Sequence, residues 1–274
     1  MNNIIVFATY WNEINWIKPS LKQIEKINPI EMIICDGCFD PKIQNYSTDG
    51  TREIIKAWVR KRKNARMISA IRMPRILGCF RLCKNFNFPN LIRIPLAISA
   101  IRKSVYRINQ ALTFNYMISI SKQWKVGRWF MTIDADQFYP ERMINKFISQ
   151  VNKKNNKLGL LTGKEYTFFN NFYEYTEDYE SREYNNFPHR IYNNTFIKTT
   201  RDIIRENIFS FKKYIDEVPY KKLGHYFHYK FRPNNKKRDK DVYALGDRKP
   251  PKNIDSFRFK KFRGKHPSVI KESL

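Results

Sequence analysis

The sequence feature that most constrains the fold is an apolar run, Trp129 to Ile133, that ends in two carboxylates, Asp134 and Asp136. Such a run is typical of a buried strand in a mostly parallel sheet, and ligands bind outside the carboxyl ends of these strands. Residues i and i+2 of an extended chain point the same way, so the two acids would repel each other unless a cation lay between them. A hard divalent cation that also holds phosphate oxygens fits best, and the alternative is a solvated loop with two acids.

Two more strands are predicted near the N-terminus, at residues 4–9 and 31–36, with a helical pattern of apolar residues between them. A strand, a helix and a second parallel strand form a unit whose crossover is almost always right-handed. Thr9, Asp36 and Asp134 are therefore expected at the same edge of one sheet. The segment Ser47–Thr51 follows as a turn, and Ser47, Thr48 or Asp49 is predicted to cap the next helix.

The charge of the chain is strongly positive, with a net value of +27. No acid occurs between Glu53 and Asp134, and a second basic region runs from about Lys230 to the end. Such charge predicts a polyanionic partner, which could be nucleic acid, anionic lipid or a phosphorylated glycan. Residues 60–100 mix basic, apolar and proline residues, which predicts an inserted loop or helical hairpin. Its composition fits a membrane interface, or equally a helix packed on the domain with a solvated basic face.

The four cysteines are predicted to be reduced thiols rather than zinc ligands, because Cys35 lies inside an apolar strand and next to a turn. No apolar run is long enough to span a bilayer, and the N-terminus lacks the basic region and cleavage site of a secretory signal. We therefore expect a cytoplasmic protein that can lie peripherally on the membrane. A late strand carries His225 and His228, which would face opposite ways, so at most one would point at the site.

Together these motifs resemble the family 2 glycosyltransferases of the GT-A fold. The resemblance rests on Asn12-Glu13 after the first strand, Asp36-Gly37, Ser47-Thr48-Asp49-Gly50-Thr51, Arg107-x-Asn109 and Ile133-Asp134-Ala135-Asp136. Many members of the family carry the second and third motifs as one contiguous run, whereas here Cys38 to Tyr46 separate them.

The resemblance implies an α/β fold with a Rossmann-like nucleotide-binding, mostly parallel central sheet flanked by helices. The transferase domain would cover residues 1–230, with a basic helical or loop insertion at about 60–100, and a basic C-terminal extension would cover residues 231–274. It implies that the nucleotide-sugar is bound by Thr9, Glu13, Asp36, Arg107, Asn109 and Asp134. It also implies that Mn²⁺ or Mg²⁺ is held by Asp136 with Asp134, and by His225 or His228.

The activity implied is transfer of a sugar from a nucleotide-sugar, with UDP- or GDP-sugars favoured, to a hydroxyl of a glycan or lipid-linked glycan. An inverting reaction needs a carboxylate base, and Glu217 is the first candidate, followed by Asp216 and then Glu177 or Asp178. An anionic membrane surface is a further expected partner, whereas nucleic acid is not. The alternatives are a nucleotidyltransferase, which lacks its Gly-rich loop here, and a nucleic-acid-binding protein, which leaves the strand-end acids unexplained.

Overall fold

The computed structural model describes residues 1–84, 105–125, 128–154, 158, 160–169, 171–177, 190–193, 220–230 and 258–270. The strands within these ranges are β1 (Asn2–Tyr10), β2 (Pro29–Asp36), β3 (Ala65–Ser69), β4 (Trp129–Asp134), β5 (Gln137–Phe138), β6 (Leu160–Phe168), β7 (Glu174–Tyr175), β8 (Arg190–Asn193), β9 (Tyr220–Tyr229) and β10 (Lys260–Lys261). The helices are α1 (Ile17–Ile27), α2 (Thr51–Arg60), α3 (Arg75–Lys84), α4 (Val105–Ile120) and α5 (Glu141–Val151), with a 3₁₀ turn at Ser268–Ile270.

The main sheet has eight strands in the order β3-β2-β1-β4-β8-β6-β9-β5. Strands β3, β2, β1 and β4 are parallel and form one half of it. In the other half β8 runs antiparallel to both β4 and β6, β6 runs parallel to β9, and β5 runs antiparallel to β9. The three strands expected from apolar runs are present, and the predicted α/β class with a parallel sheet flanked by helices is confirmed.

Strand β1 is the centre of the parallel half and is covered on both faces. Ile4, Val6 and Ala8 belong to the cluster that contains α1, whereas Ile5 and Phe7 belong to the cluster that contains α4. All five side chains are fully buried. Alternate residues of a strand point to opposite faces, so a strand with helices on both sides must be apolar throughout. For this reason residues 4–8 of β1 are all apolar and do not alternate with polar residues.

Part of the segment predicted as an insertion belongs to the sheet. Residues 65–69 form β3 and pair in parallel with β2, so the sheet continues beyond residue 60. Ala65 is buried against the core, while the next residues of the strand are half-buried at the sheet edge. An edge strand tolerates Arg66 because one side of it faces solvent. Within the predicted insertion Arg75–Lys84 form α3, and residues 85–100 lie outside the described residues.

The C-terminal segment described, residues 258–270, packs on the domain. Strand β10 pairs with β7, and Phe262 packs against the aromatic rings of β6 and β9. Val269 and Ile270 are buried in the same core as α1. Within the described residues no helix is long and apolar enough to cross a membrane. Cys35, Cys38 and Cys79 are buried and form no disulfide within the described residues.

Candidate functional site

The carboxyl ends of three neighbouring strands meet at one edge of the sheet. Thr9 lies opposite Asp134 of β4, and Tyr10 lies opposite Asp36 of β2. Adjacent strands are about 4.8 Å apart, so the two residues of each pair are neighbours across the strands. The expectation that Thr9, Asp36 and Asp134 share an edge therefore agrees with the strand register.

The two halves of the split motif are brought together in space. Asp36 is fully buried, accepts a 2.5 Å hydrogen bond from the Ser47 hydroxyl, and forms a 2.6 Å ion pair with Arg52. The chain between the halves leaves and returns as a loop, which the main-chain N–H of Cys38 closes by donating to the carbonyl of Asn45. Asp36 thus positions the loop that follows it, even though eleven positions separate the acid from Ser47.

The loop before α2 is also hydrogen-bonded to the residues that follow β1. The Asn12 main-chain N–H donates to the Ser47 hydroxyl at 2.8 Å, and the Asn12 side chain accepts from the Thr48 N–H at 2.8 Å. Gly50 occupies the N-cap position of α2 with φ of 94°. Of the three residues predicted to cap α2, Asp49 accepts a hydrogen bond from the N–H of Thr51, the first residue of the helix, and it also accepts one from the N–H of Ile14, which joins the two loops.

The site edge is locally acidic although the chain is strongly basic. Burial is the main reason that the pKa of Tyr10 is raised; a hydrogen bond with Ser20 opposes it, and the charges of Glu13 and Asp134 add to it. Glu13 itself is 4% exposed, and its N–H donates to the Thr51 hydroxyl at 2.8 Å. Negative charge gathered at a strand edge in such a cationic protein favours a bound cation.

Asp136, His228 and Glu165 form a buried row behind this edge. His228 Nδ1 lies 2.7 Å from Glu165 Oε1, and His228 Nε2 lies 3.2 Å from Asp136 Oδ1. Glu165 also accepts hydrogen bonds from the Thr167 hydroxyl at 2.5 Å and the Tyr226 hydroxyl at 2.6 Å. Strand β5 pairs with β9, with Gln137 as the partner of His228, and this pairing places the histidine next to Asp136.

The orientation of His228 leaves one nitrogen for a metal ion. When Nδ1 donates its proton to Glu165, Nε2 presents a lone pair to the carboxylate oxygen of Asp136, and this buried Nε2 makes no hydrogen bond within the described residues. Two lone pairs 3.2 Å apart repel each other unless a proton or a metal cation lies between them. Ligand atoms at right angles about a small divalent ion are about 3 Å apart, which matches this spacing. The residues therefore fit a divalent cation, and a carboxylate on the second ring nitrogen is usual for a metal-binding histidine.

Without a metal ion, the same arrangement favours a protonated ring. Burial lowers the pKa of His228, but the charge of Glu165 and then that of Asp136 outweigh it, so the pKa is raised. A proton and a metal ion would therefore compete for Nε2. The described residues contain no group of three or more His, Cys, Asp and Glu side chains placed to hold a metal. The imidazole nitrogen is a poor ligand for Mg²⁺, which takes oxygen ligands, so the pair fits Mn²⁺ better, with substrate phosphates and water at its other positions.

The other predicted site residues are placed as follows. His225 lies on the opposite face of β9 from His228 and stacks on Tyr166, with ring centroids 4.3 Å apart. Asn109 is fully buried, and within the described residues its amide bonds main-chain groups, namely the N–H and carbonyl of Met73 and the carbonyl of Phe39. It therefore holds the start of α3 to the loop after β2. The side chain of Arg107 and all of Asp178, Asp216 and Glu217 lie outside the described residues. Glu177 forms ion pairs with Lys164 and Lys260.

Sequence reasoning missed Glu165 and Tyr226. Glu165 stands directly after Lys164 and reads as one of an exposed charged pair, so the local sequence gives no signal of its burial. Its partner His228 lies 63 positions away, and the contact depends on the parallel pairing of β6 with β9. No local pattern of residues specifies such a pairing.

No protein-family model and no curated protein sequence matches the chain. Among solved structures, it is similar to glucosyl-3-phosphoglycerate synthase from Mycobacterium tuberculosis in complex with Mn²⁺, uridine diphosphate and glucosyl-3-phosphoglycerate, with 14% identity, a TM-score of 0.41, and coverage of 95% of this chain and 87% of that one. The same enzyme with Mn²⁺, UDP-glucose and phosphoglyceric acid gives 12% identity, a TM-score of 0.38, and coverage of 94% and 86%. A structure described only as a mycobacterial protein gives 11% identity, a TM-score of 0.41, and coverage of 89% and 71%. These identities and scores are low and carry no conclusion about function.

Proposed function

We propose that this chain is a metal-dependent glycosyltransferase that moves a sugar from a nucleotide-sugar to a hydroxyl acceptor. One observation carries the proposal: His228 Nε2 and Asp136 Oδ1 face each other across 3.2 Å at the edge where the parallel strands end. A divalent cation there would face the diphosphate of a donor bound across the strand ends. When bound, it would neutralise the negative charge that develops on the departing diphosphate.

Different residues at this edge are proposed to contact different parts of the donor. Asp134 is half-buried at the end of β4 and is proposed to contact the ribose or the sugar. Thr9, Glu13 and Asp36 are proposed to line the nucleoside end, where the hydrogen bonds of Asp36 fix the loop that closes over it. The side-chain amide of Asn109 donates to the carbonyl of Phe39 and so supports the loop after β2. The proposed donor is a UDP-sugar or a GDP-sugar.

The reaction is proposed to be an inverting displacement. The acceptor oxygen bonds to the anomeric carbon as the bond from that carbon to the diphosphate oxygen breaks. The electron pair of the broken bond stays with the diphosphate, and the hydroxyl proton passes to a carboxylate. Glu217 remains our candidate for that base, with Asp216 next, and a glycan or a lipid-linked glycan remains the proposed acceptor.

The proposal is tested by thermal unfolding with UDP, GDP, CDP and dTDP, each with and without Mn²⁺. A ligand that binds only the native state adds about 2.7 kcal/mol at a hundredfold excess over its dissociation constant. We expect one nucleotide to raise Tm only with Mn²⁺, and Asp136→Ala and His228→Ala to remove that rise. His225→Ala is the matched control, since this histidine lies on the other face of the same strand, and it should retain the rise.

A different outcome would support the nucleic-acid alternative. If no nucleotide raises Tm while an oligonucleotide does, in wild type and in Asp136→Ala alike, the transferase proposal fails. Binding through phosphate contacts alone would then weaken steeply as the salt concentration rises.

A further inference from the structure

Helix α3 carries an apolar face that no described residue covers. Ile76, Leu77 and Phe80 are 60%, 61% and 63% exposed. The five other large apolar or aromatic side chains exposed in the described ranges are scattered along the chain: Met1, Tyr46, Tyr116, Tyr173 and Phe259. Three such side chains at positions i, i+1 and i+4 of one helix form a continuous patch, which marks an interaction site.

The opposite face of α3 is fixed against the domain. Gly78 approaches α4 so closely that an added Cβ would lie 2.8 Å from Cγ2 of Ile108. Cys79 beside it is 1% exposed. The helix therefore cannot rotate to bury Ile76, Leu77 and Phe80 without losing this packing. Their exposure is a consequence of how α3 docks on α4.

Exposed basic side chains accompany the apolar face. Successive residues of an α-helix are about 100° apart, which places Arg81 beside Leu77 at one border of the face, while Arg75 is the first residue of the helix. Both arginines are exposed. The nearest acids in sequence are Glu53 and Asp134, so no acid of the surrounding chain segment offsets this charge.

We propose that α3 docks on a lipid bilayer that contains anionic lipids. A helix that lies in the interface places its apolar side chains among the upper acyl chains and its basic side chains at the phosphates. Ile76, Leu77 and Phe80 would enter the bilayer while Arg75 and Arg81 pair with headgroups. A second copy of this chain fits less well, because symmetric packing of two α3 faces would bring arginines of the two copies together.

The docking also places the candidate site relative to the membrane. Arg72, just before α3, donates hydrogen bonds to the carbonyls of Asp40 and Ile43 in the loop after β2. The helix thus begins beside the carboxyl edge of the sheet. Membrane docking does not depend on the proposed reaction, but it would bring that edge to an acceptor anchored in the bilayer.

The test is co-sedimentation of the full chain with vesicles of phosphatidylcholine alone and of phosphatidylcholine mixed with phosphatidylglycerol. The variant Ile76→Ser/Leu77→Ser/Phe80→Ser keeps the net charge and removes the apolar face. We expect its partitioning to the mixed vesicles to fall about tenfold or more, since binding scales with the apolar area inserted. Tyr116→Ser, which removes an exposed ring from α4, should bind as wild type does. Arg75→Gln/Arg81→Gln should weaken binding to the mixed vesicles and leave the weak binding to phosphatidylcholine unchanged.

Three results would overturn the inference. Equal binding of the triple-serine variant and wild type would show that charge alone holds the protein on the vesicles. A large fall in Tm of that variant would show that another part of the chain covers the face. A dimer of wild type that becomes a monomer in the variant, measured by sedimentation velocity, would assign the face to a second copy.

Discussion

At the scale of single residues, Glu165 determines which ring nitrogen of His228 faces Asp136. Its carboxylate is 3% exposed and is held by the hydroxyls of Thr167 and Tyr226. Both hydroxyls donate to Glu165, whose carboxylate also lies within hydrogen-bond distance of His228 Nδ1. This contact turns His228 Nε2 towards Asp136, where the proposed metal ion would bind.

We expect Glu165→Gln to lower the affinity for Mn²⁺ by about 10- to 100-fold, the usual cost of losing a partner of a metal-binding histidine. The amide has nearly the same shape but a weaker hold on the ring proton. Tyr226→Phe removes one hydrogen bond to the same carboxylate and should have a smaller effect. Mn²⁺ titration followed by electron paramagnetic resonance measures both; equal affinities in wild type and Glu165→Gln would contradict the assignment.

At the scale of elements, Glu31 connects β2 to the end of α4. It is 5% exposed and accepts hydrogen bonds from the Ser121 hydroxyl, the N–H groups of Lys122 and Gln123, and the Arg66 guanidinium. Burial raises the pKa of Glu31, but these hydrogen bonds outweigh it, so the pKa is lowered. The carboxylate therefore fixes where the chain leaves α4 on its way to β4.

We expect Glu31→Gln to lower the free energy of unfolding at neutral pH by about 1–3 kcal/mol, because buried N–H donors lose their ionised partner. The pKa is lowered on folding, so this stabilisation is present above the ordinary pKa of the group and is lost as the pH falls through its lower folded-state value. Urea unfolding at a series of pH values should show the difference between wild type and variant shrink in acid. The exposed Glu53→Gln serves as control and should change stability little at any pH.

The elements that could be predicted from the sequence are the ones whose stability is local. Strands β1, β2 and β4 are buried on both faces and read as apolar runs, so their position and their polar ends are visible in sequence. Strand β3 was missed because Ala65–Ser69 follows a basic cluster and is held at the edge by its pairing with β2. The pairing of Glu165 with His228 was missed because it depends on the register of two distant strands.

At the scale of the whole molecule, the segment 258–270 ties the two ends of the described chain together. Lys26 of α1 bonds both Glu141 of α5 and Ser268, and Ile270 is fully buried in the core that includes α1. His266 bonds the Tyr229 hydroxyl through Nδ1 at 2.7 Å and so connects the same segment to β9. The domain is therefore completed by residues close to its C-terminus.

We expect Ile270→Ala to cost about 2–5 kcal/mol of stability, the range for deleting a fully buried branched side chain that leaves a cavity. Phe259→Ala removes a larger side chain from the same segment, but one that is 36% exposed, and it should cost much less. Guanidinium unfolding monitored by circular dichroism compares the two. Similar stabilities of Ile270→Ala and wild type would mean that residues 258–270 contribute nothing to folding.

The loop that splits the Asp36 motif offers a place to engineer the protein. Its base is closed by the Cys38–Asn45 hydrogen bond, and Phe39 and Asp40 are buried, whereas Pro41, Lys42 and Gln44 at the tip are exposed. Doubling the length of a closed flexible loop costs only about 0.6 kcal/mol. A peptide tag or a fluorophore inserted at Lys42 would therefore leave Asp36 and Ser47 in contact. It would sit close enough to the strand ends to act as an optical sensor of what binds there.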